Sequence, residues 1–540
     1  MVPARRKALG AFYTDESVVA FLVGWGLREG FRSVIDPSCG DGRFLEAAGR
    51  AGRLCLVGCD ISSEALATTR ERLSSRRLGA ELLEADFFTV EPTEVPPVDL
   101  VIGNPPFIRY QRFDDRSRRA ALASALRLGV RLTRLTSTWA PFLLHATRFL
   151  NEGGRMAMVV PAEITQTHYG LQTLGALLQR FAAVHLLTFE ENFFDDAQVG
   201  TFLLLAEGFG GSCDAVRLIP LRSIQELREP ERLLEHGDPV WVRAEEGRLS
   251  RFAEAFLSER ERRAWQRACQ HADVRAVAAL ATVTNGYVTG DNEFFHRTAA
   301  AAEQAGYPPT WLFPTARSSR SLLGLRFTRS DIAAHETEGA AHHLVVPQED
   351  LFTDPGPLEK FIAEGRSRGT EGRFKCRRRT PWWNVPGLQE ADVLVGYMAG
   401  STPRAAVNEA RAFYTNSLHG LRVHPRVPPE LLTLAFYSSL TLLSLEIEGR
   451  SYGGGILKVE PRELERVLVP WPAFGGTELA GLAEAVDALL REGCYDDASK
   501  IVDGALLCRG LGISRQTVNQ LRAARLRLRD RRLERGRKRS

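Results

Sequence analysis

Short apolar runs bounded by turn residues recur through the first 210 residues, separated by segments whose apolar residues fall at helical spacing. "SVID" enters the small-residue loop "PSCGDG", and "FLEAAGRAG" (44–52) predicts a helix ending at glycine. "LCLVGCDI" (54–61) predicts a strand, and "SSEALATTRERLSSRR" (62–77) a helix opened by capping serines. "AELLEAD", "VDLVIGNPP", "GGRMAMVVPAE", "HLLTFEENFF" and "TFLLLAEGF" continue the series, with a long helical region after the second. Such alternation predicts an α/β fold with a parallel, doubly wound sheet over residues 1–210.

The pattern then changes. Residues 211–244 are charged and irregular, as expected of a linker, and 245–475 mix Gly, Pro and aromatics as in a second, mixed α/β domain. Residues 476–540 carry Leu, Ala and Val at helical spacing. At 44% apolar and 25% charged, the composition suits a globular core. No apolar run approaches the roughly 20 residues that span a bilayer, and no apolar signal segment follows "MVPARRKALG", so no membrane partner and a cytoplasmic setting are expected. The eight cysteines are scattered without a CxxC or metal-type pairing, which fits reduced thiols and no metal site. The formal charge of +4 is unevenly spread: residues 522–540 hold ten basic and two acidic residues, a net of +8. That tail is expected either to neutralise phosphates or to dock as a helix through Leu526, Leu528 and Leu533.

Chemistry gathers at the expected strand ends. Gly40 and Gly42 in "DPSCGDG" allow a backbone to approach a nucleotide, or simply form a turn. Asp60 lies 18 residues beyond Gly42, where a carboxylate can accept from both hydroxyls of a ribose. Asp86 ends the next strand and can accept from an adenine amine while Phe87 covers the ring. Each acid alone is more often a helix cap or a solvated loop charge. Asp36, Asp60 and Asp86 at successive strand ends, with "NPPF" at the fourth, point to one site. There is no GxxxxGK[ST] loop for a nucleoside triphosphate.

In this order, "DPSCGDGRFL", "CDIS", "EADFF" and "NPPFIRYQ" resemble the S-adenosylmethionine-dependent amino-methyltransferases, and among them the gamma-class, TaqI-like N6-adenine DNA methyltransferases of restriction-modification systems. "GAFYTDESVVAFL" resembles that class's leading cofactor segment, with Asp15 where a proline is usual. The resemblance extends over about residues 8–207 and implies a Rossmann-like methyltransferase domain followed by a target-recognition domain. It implies S-adenosyl-L-methionine as cofactor, held by Thr14, Asp36, Cys39, Gly40, Gly42, Asp60, Ile61, Asp86 and Phe87. It implies catalysis by Asn104, Pro105, Pro106 and Phe107 on a flipped adenine in duplex DNA, with Phe107 and Phe194 on the two faces of the base and Phe193 competing for the second place.

The residue types fit that chemistry. An exocyclic amine is a poor nucleophile because its lone pair is delocalised into the ring. The Asn104 side-chain oxygen and the Pro105 carbonyl can accept the two amine hydrogens and restore the lone pair. Consecutive prolines fix the chain, so both acceptors are oriented beforehand. Asn rather than Ser at 104 leans toward adenine over cytosine N4. Cys39 lies in the cofactor loop, away from the position of a cytosine-C5 nucleophile.

Arg109 and Tyr110 follow the motif and can meet phosphate or form ion pairs. In "GRFKCRRRTPWW", Arg377, Arg378, Arg379 and Trp382 combine charge with a ring, as a DNA contact does, or form a solvated loop beside core tryptophans. No nuclease-like segment is read before residue 10, so modification without cutting is expected, a setting that leaves room for a separate restriction endonuclease or defence partner. The alternatives are methylation of RNA adenine or protein glutamine, and a non-catalytic DNA-binding subunit. The recognition domain speaks against the first, and the intact motif against the second.

Overall fold

The computed structural model describes residues 14–189, 201–227, 230–236, 240–245, 248–249, 252–348, 355–452 and 455–537. The chain divides into two units, 1–256 and 257–540.

The first unit is built on a ten-stranded sheet. Its strands are β1 (Ser33–Asp36), β2 (Cys55–Asp60), β3 (Glu81–Glu84), β4 (Val98–Gly103), β5 (Leu150–Pro161), β6 (Phe181–Phe189), β7 (Thr201–Phe209), β8 (Ala215–Leu221), β9 (Val240–Glu245) and β10 (Arg248–Leu249). They lie in the order β10-β9-β8-β6-β7-β5-β4-β1-β2-β3. β3, β2, β1, β4 and β5 are parallel, whereas β7 runs antiparallel to both β5 and β6. The fold is therefore the expected Rossmann-like α/β architecture with a mixed outer half.

Alternation along the strands makes two buried layers. Val34, Leu100, Ile102 and Val159 face helices α1 (Glu16–Gly26), α2 (Arg43–Ala51) and α3 (Ser63–Ser75). Ile35, Val101, Met158 and Val160 face the other way, toward α4 (Asp115–Arg127), α5 (Trp139–Ala146) and α6 (His168–Leu178). The chain turns from β1 toward β2 and β3, then returns to place β4 on the opposite side of β1. That switch point opens a crevice at the carboxyl ends of β1, β2 and β4.

The expected domain bounds change. Residues 211–244 are not a linker: β8 pairs with β6 and β9 with β8, so the first unit runs on through them. Their backbone hydrogen bonds complete the sheet. All eight cysteines are free thiols, and Cys55 is exposed at the start of β2.

The second unit has a five-stranded sheet in the order Ala281–Asn285, Leu418–Val423, Val393–Gly396, Ala405–Asn408 and Arg326–Phe327, beside smaller sheets and helices. The basic segment is one of those helices. Here α7 (Glu259–Cys269) and α8 (Ser439–Glu448) pack against α9 (Arg515–Arg537). Leu521, Ala524 and Leu528 are buried, and Arg522, Arg527 and Arg532 pair with Asp503, Glu261 and Glu446. Docking, not phosphate neutralisation, accounts for this part of the tail. Among the described residues, no single helix is long and apolar enough to cross a membrane.

Candidate active site

A cavity of about 450 Å3 occupies the crevice at the switch point. It brings together Thr14, Asp36, Cys39, Gly40, Asp60, Ile61, Asp86, Phe87, Asn104 and Pro106, drawn from five separate stretches of sequence. Its size is in the range of small-molecule sites.

The glycine loop is held by the carboxylate beside it. Asp60 Oδ2 accepts from the Gly40 N–H at 2.9 Å, and Oδ1 from the Ser62 N–H at 2.9 Å. Ser62 in turn caps α3. Gly40 has φ +54° and nothing within 4 Å of where a Cβ would stand, so its backbone is open to a ligand. Gly42 differs from expectation. It is absent from the cavity wall, and a Cβ there would stand 2.7 Å from Thr69 Cγ2, so it serves the packing of the loop on α3.

Burial dominates the electrostatics. Asp36 is 1% exposed, and desolvation, with Asp60 and Asp41 adding repulsion, pushes its pKa up to about 8 against the opposing Ser38 N–H. Asp60 is shifted up by the same burial. The Cys39 thiol is pushed well above its ordinary range, so it stays protonated and is no nucleophile. Asp86 accepts from the Phe88 N–H at 3.1 Å and from Ser117 Oγ at 2.5 Å. Phe87 is 4% exposed, with its ring 5.1 Å from Phe142 and 5.0 Å from Phe149. Beside it, burial lowers the His145 pKa to about 4, leaving a neutral imidazole against the Phe87 carbonyl. Ile61 stands 64% exposed at the mouth.

β4 hands over to the Asn-Pro-Pro-Phe turn through Gly103, at φ +154°. A Cβ there would lie 2.5 Å from Asp36 Oδ1, so glycine lets the turn pass over the buried acid. Asn104 Nδ2 donates to Thr14 Oγ1 at 3.3 Å, and Ser38 Oγ donates to the Asn104 carbonyl at 3.0 Å. Thr138, at the start of α5, holds the far side: its hydroxyl donates to the Pro106 carbonyl and accepts from the Ile108 N–H at 3.0 Å. Pro105 is buried, and half-buried Phe107 packs against both apolar layers, apart from the cavity wall. Phe194 lies outside the described residues. Thr138, Ser38 and Ser117 escaped the sequence reading. Lone hydroxyls carry no spacing signal, and two of these reach the cavity from helices distant in sequence.

Of the tentative DNA contacts, Arg109 and Tyr110 are exposed. Trp382 is not one of them: it is 6% exposed, within contact range of Phe294 and Phe361 in the second unit's core. Arg379 is also committed, donating to the Thr289 and Val288 carbonyls at 2.7 and 2.5 Å. Arg377 and Arg378 are exposed.

Residues 34–129 match the model of a methyltransferase domain, and 250–507 that of the Type II methyltransferase M.Eco57I C-terminal domain. Type II methyltransferase M.XamI of Xanthomonas campestris pv. amaranthicola is 26% identical over 482 residues, covering 86% of both chains. Type II methyltransferase M.AccI of Acinetobacter calcoaceticus is 23% identical over 469 residues, 85% of both chains. Among solved structures, the DrdV–DNA complex aligns over 90% of this chain and 58% of its own, at a TM-score of 0.51 and 13% identity, a likeness of fold. The cofactor is S-adenosyl-L-methionine, and the open Gly40 backbone, the strand-end carboxylates and the cavity's size fit it.

Proposed function

We propose that this chain, which is similar over most of its length to Type II methyltransferases, methylates the N6 amine of a flipped adenine in duplex DNA, as a gamma-class, TaqI-like enzyme beside a separate restriction endonuclease. The observation that carries this reading is the shared wall: Asn104 and Pro106 line the same cavity as Asp36, Asp60 and Asp86. Asn104, the side-chain amine acceptor, is thereby within reach of whatever those acids hold. The relatives' names support the restriction-modification setting, and residues 257–540 take the target-recognition role.

Bound there, S-adenosylmethionine supplies an electrophilic methyl group on a sulfonium. Asp60 has its two oxygens positioned by backbone N–H groups to accept from ribose hydroxyls. Asp86 is turned toward the cavity by Ser117, to accept from the adenine amine of the cofactor. Asn104 gives its amide nitrogen to Thr14 and meets the target amine through its oxygen, while the Pro105 carbonyl accepts the second hydrogen. Ser38 and Thr138 brace the turn at either end, so no reorganisation is needed when charge develops. Phe107 supports one face of the base, and Phe194 the other.

The test is nucleoside mass spectrometry of unmethylated duplex DNA treated with the full chain and labelled cofactor. N6-methyladenine is expected, and Asn104→Ala should lower its formation by about 100-fold or more with cofactor binding retained. N4-methylcytosine as the product, or label on RNA or protein alone, would overturn the reading.

A further inference from the structure

The second unit carries an exposed aromatic ring among cations that, among the described residues, have no carboxylate partners. Phe374 is 52% exposed, the only phenylalanine so placed among the described residues. The Arg378 guanidinium lies 4.1 Å from its ring centroid, that of Arg377 5.5 Å, and the Lys375 ammonium 6.0 Å. Among the described residues, none of these three cations forms an ion pair, whereas nearby Arg373 and Arg366 pair with Asp291 and Glu371.

The ring is not on a loose tip. Thr370 Oγ1 donates to Asp291 Oδ2 at 2.7 Å, and Cys376 is fully buried with its thiol 3.6 Å from the Thr289 carbonyl. Arg379 clamps the Thr289 and Val288 carbonyls. The segment is thus fastened to the "NGYVTGDN" loop, and Phe374 is held outward by that fastening. Alongside lies a second cavity, about 620 Å3, whose wall includes Lys375, Arg378 and Arg422.

An exposed ring gives up the free energy of burial, and clustered cations repel one another. A polyanion with flat apolar faces relieves both at once, and nucleic acid is that polymer. We propose that Lys375, Arg377 and Arg378 grip backbone phosphates of duplex DNA, and that Phe374 enters the base stack as a wedge. The proposal rests on the reading of the chain as a DNA methyltransferase. The cations supply affinity without sequence preference, and the wedge unstacks a step so that the duplex follows the protein surface.

The test uses the full chain and a fluorescein-labelled mixed-sequence duplex, with anisotropy measured across a salt series. Lys375→Ala with Arg378→Ala should flatten the slope of log Kd against log salt by about 2. Phe374→Ala should raise Kd about 5- to 100-fold at unchanged slope, and Phe374→Trp should restore it. Thermal unfolding and cofactor binding should match the parent in every variant, because these side chains are exposed. Arg378→Lys keeps the charge and should keep the slope. Unchanged Kd and slope in the alanine variants would overturn the grip, even if methyl transfer to duplex DNA proceeds normally. A parent chain that binds no duplex would overturn both this proposal and the function it rests on.

Discussion

Asp36 is the residue whose charge state is most at odds with its ordinary chemistry. It is buried at the end of β1, and its carboxyl holds a proton to about pH 8 instead of losing it near 3.8. The sign follows from linkage. Between those values the folded chain binds a proton that the unfolded chain releases, so Asp36 lowers stability progressively as pH rises from about 4 to about 8. S-adenosylmethionine carries a sulfonium and an ammonium, and placing such charges in a cavity lined by Asp36 favours the carboxylate. Binding at pH 7 should therefore release a proton. Calorimetric enthalpies in phosphate and Tris should differ for the parent chain and coincide for Asp36→Asn, which accepts the Ser38 N–H without titrating. Equal enthalpies in the parent would show that the acid stays protonated in the complex.

Among elements, α9 departs furthest from its sequence. Its arginines look like a nucleic-acid tail, yet Arg532 and Glu446 are each 4% exposed in side chain and pair at 2.7 Å. Arg532→Ala would strand the Glu446 carboxylate in the interior, at a cost of about 3–5 kcal/mol. Thermal unfolding should show that loss, the double replacement Arg532→Met with Glu446→Leu should recover most of it, and the salt slope of duplex binding should not move in the double variant. A lower salt slope at unchanged stability would return the helix to phosphate binding. The same element shows why reading the sequence stopped where it did. Asp36, Asp60, Asp86 and Asn104 were legible because each ends or closely follows a strand whose apolar run fixes its position locally. Whether Arg532 meets a phosphate or Glu446 depends on packing between segments 86 residues apart, and nothing near Arg532 encodes it. Trp382 misled for the same reason: its basic neighbours suggested a surface, whereas Phe294 and Phe361 arrive from elsewhere to bury it. β8 and β9 stayed hidden because the charged stretch 222–239 between them dominates the composition of 211–244, although "AVRLIPL" and "VWVRAE" themselves suit strands.

At the scale of the molecule, the two units close in different ways. In the first, β1 to β5 assemble largely in chain order around the cofactor crevice, and β6 to β10 extend the same sheet. In the second, α7 near residue 260 packs against α9, and Arg527 reaches Glu261 across 266 positions. Synthesis by the ribosome is directional, so these arrangements differ in time as well as in space. The first unit can form its sheet while the rest of the chain is still being made. The second must hold Glu261, Asp503 and Glu446 without their arginine partners until α9 emerges from the exit tunnel. A nascent chain stalled near residue 500 should thus resist protease through its first 250 residues and be cut readily beyond them.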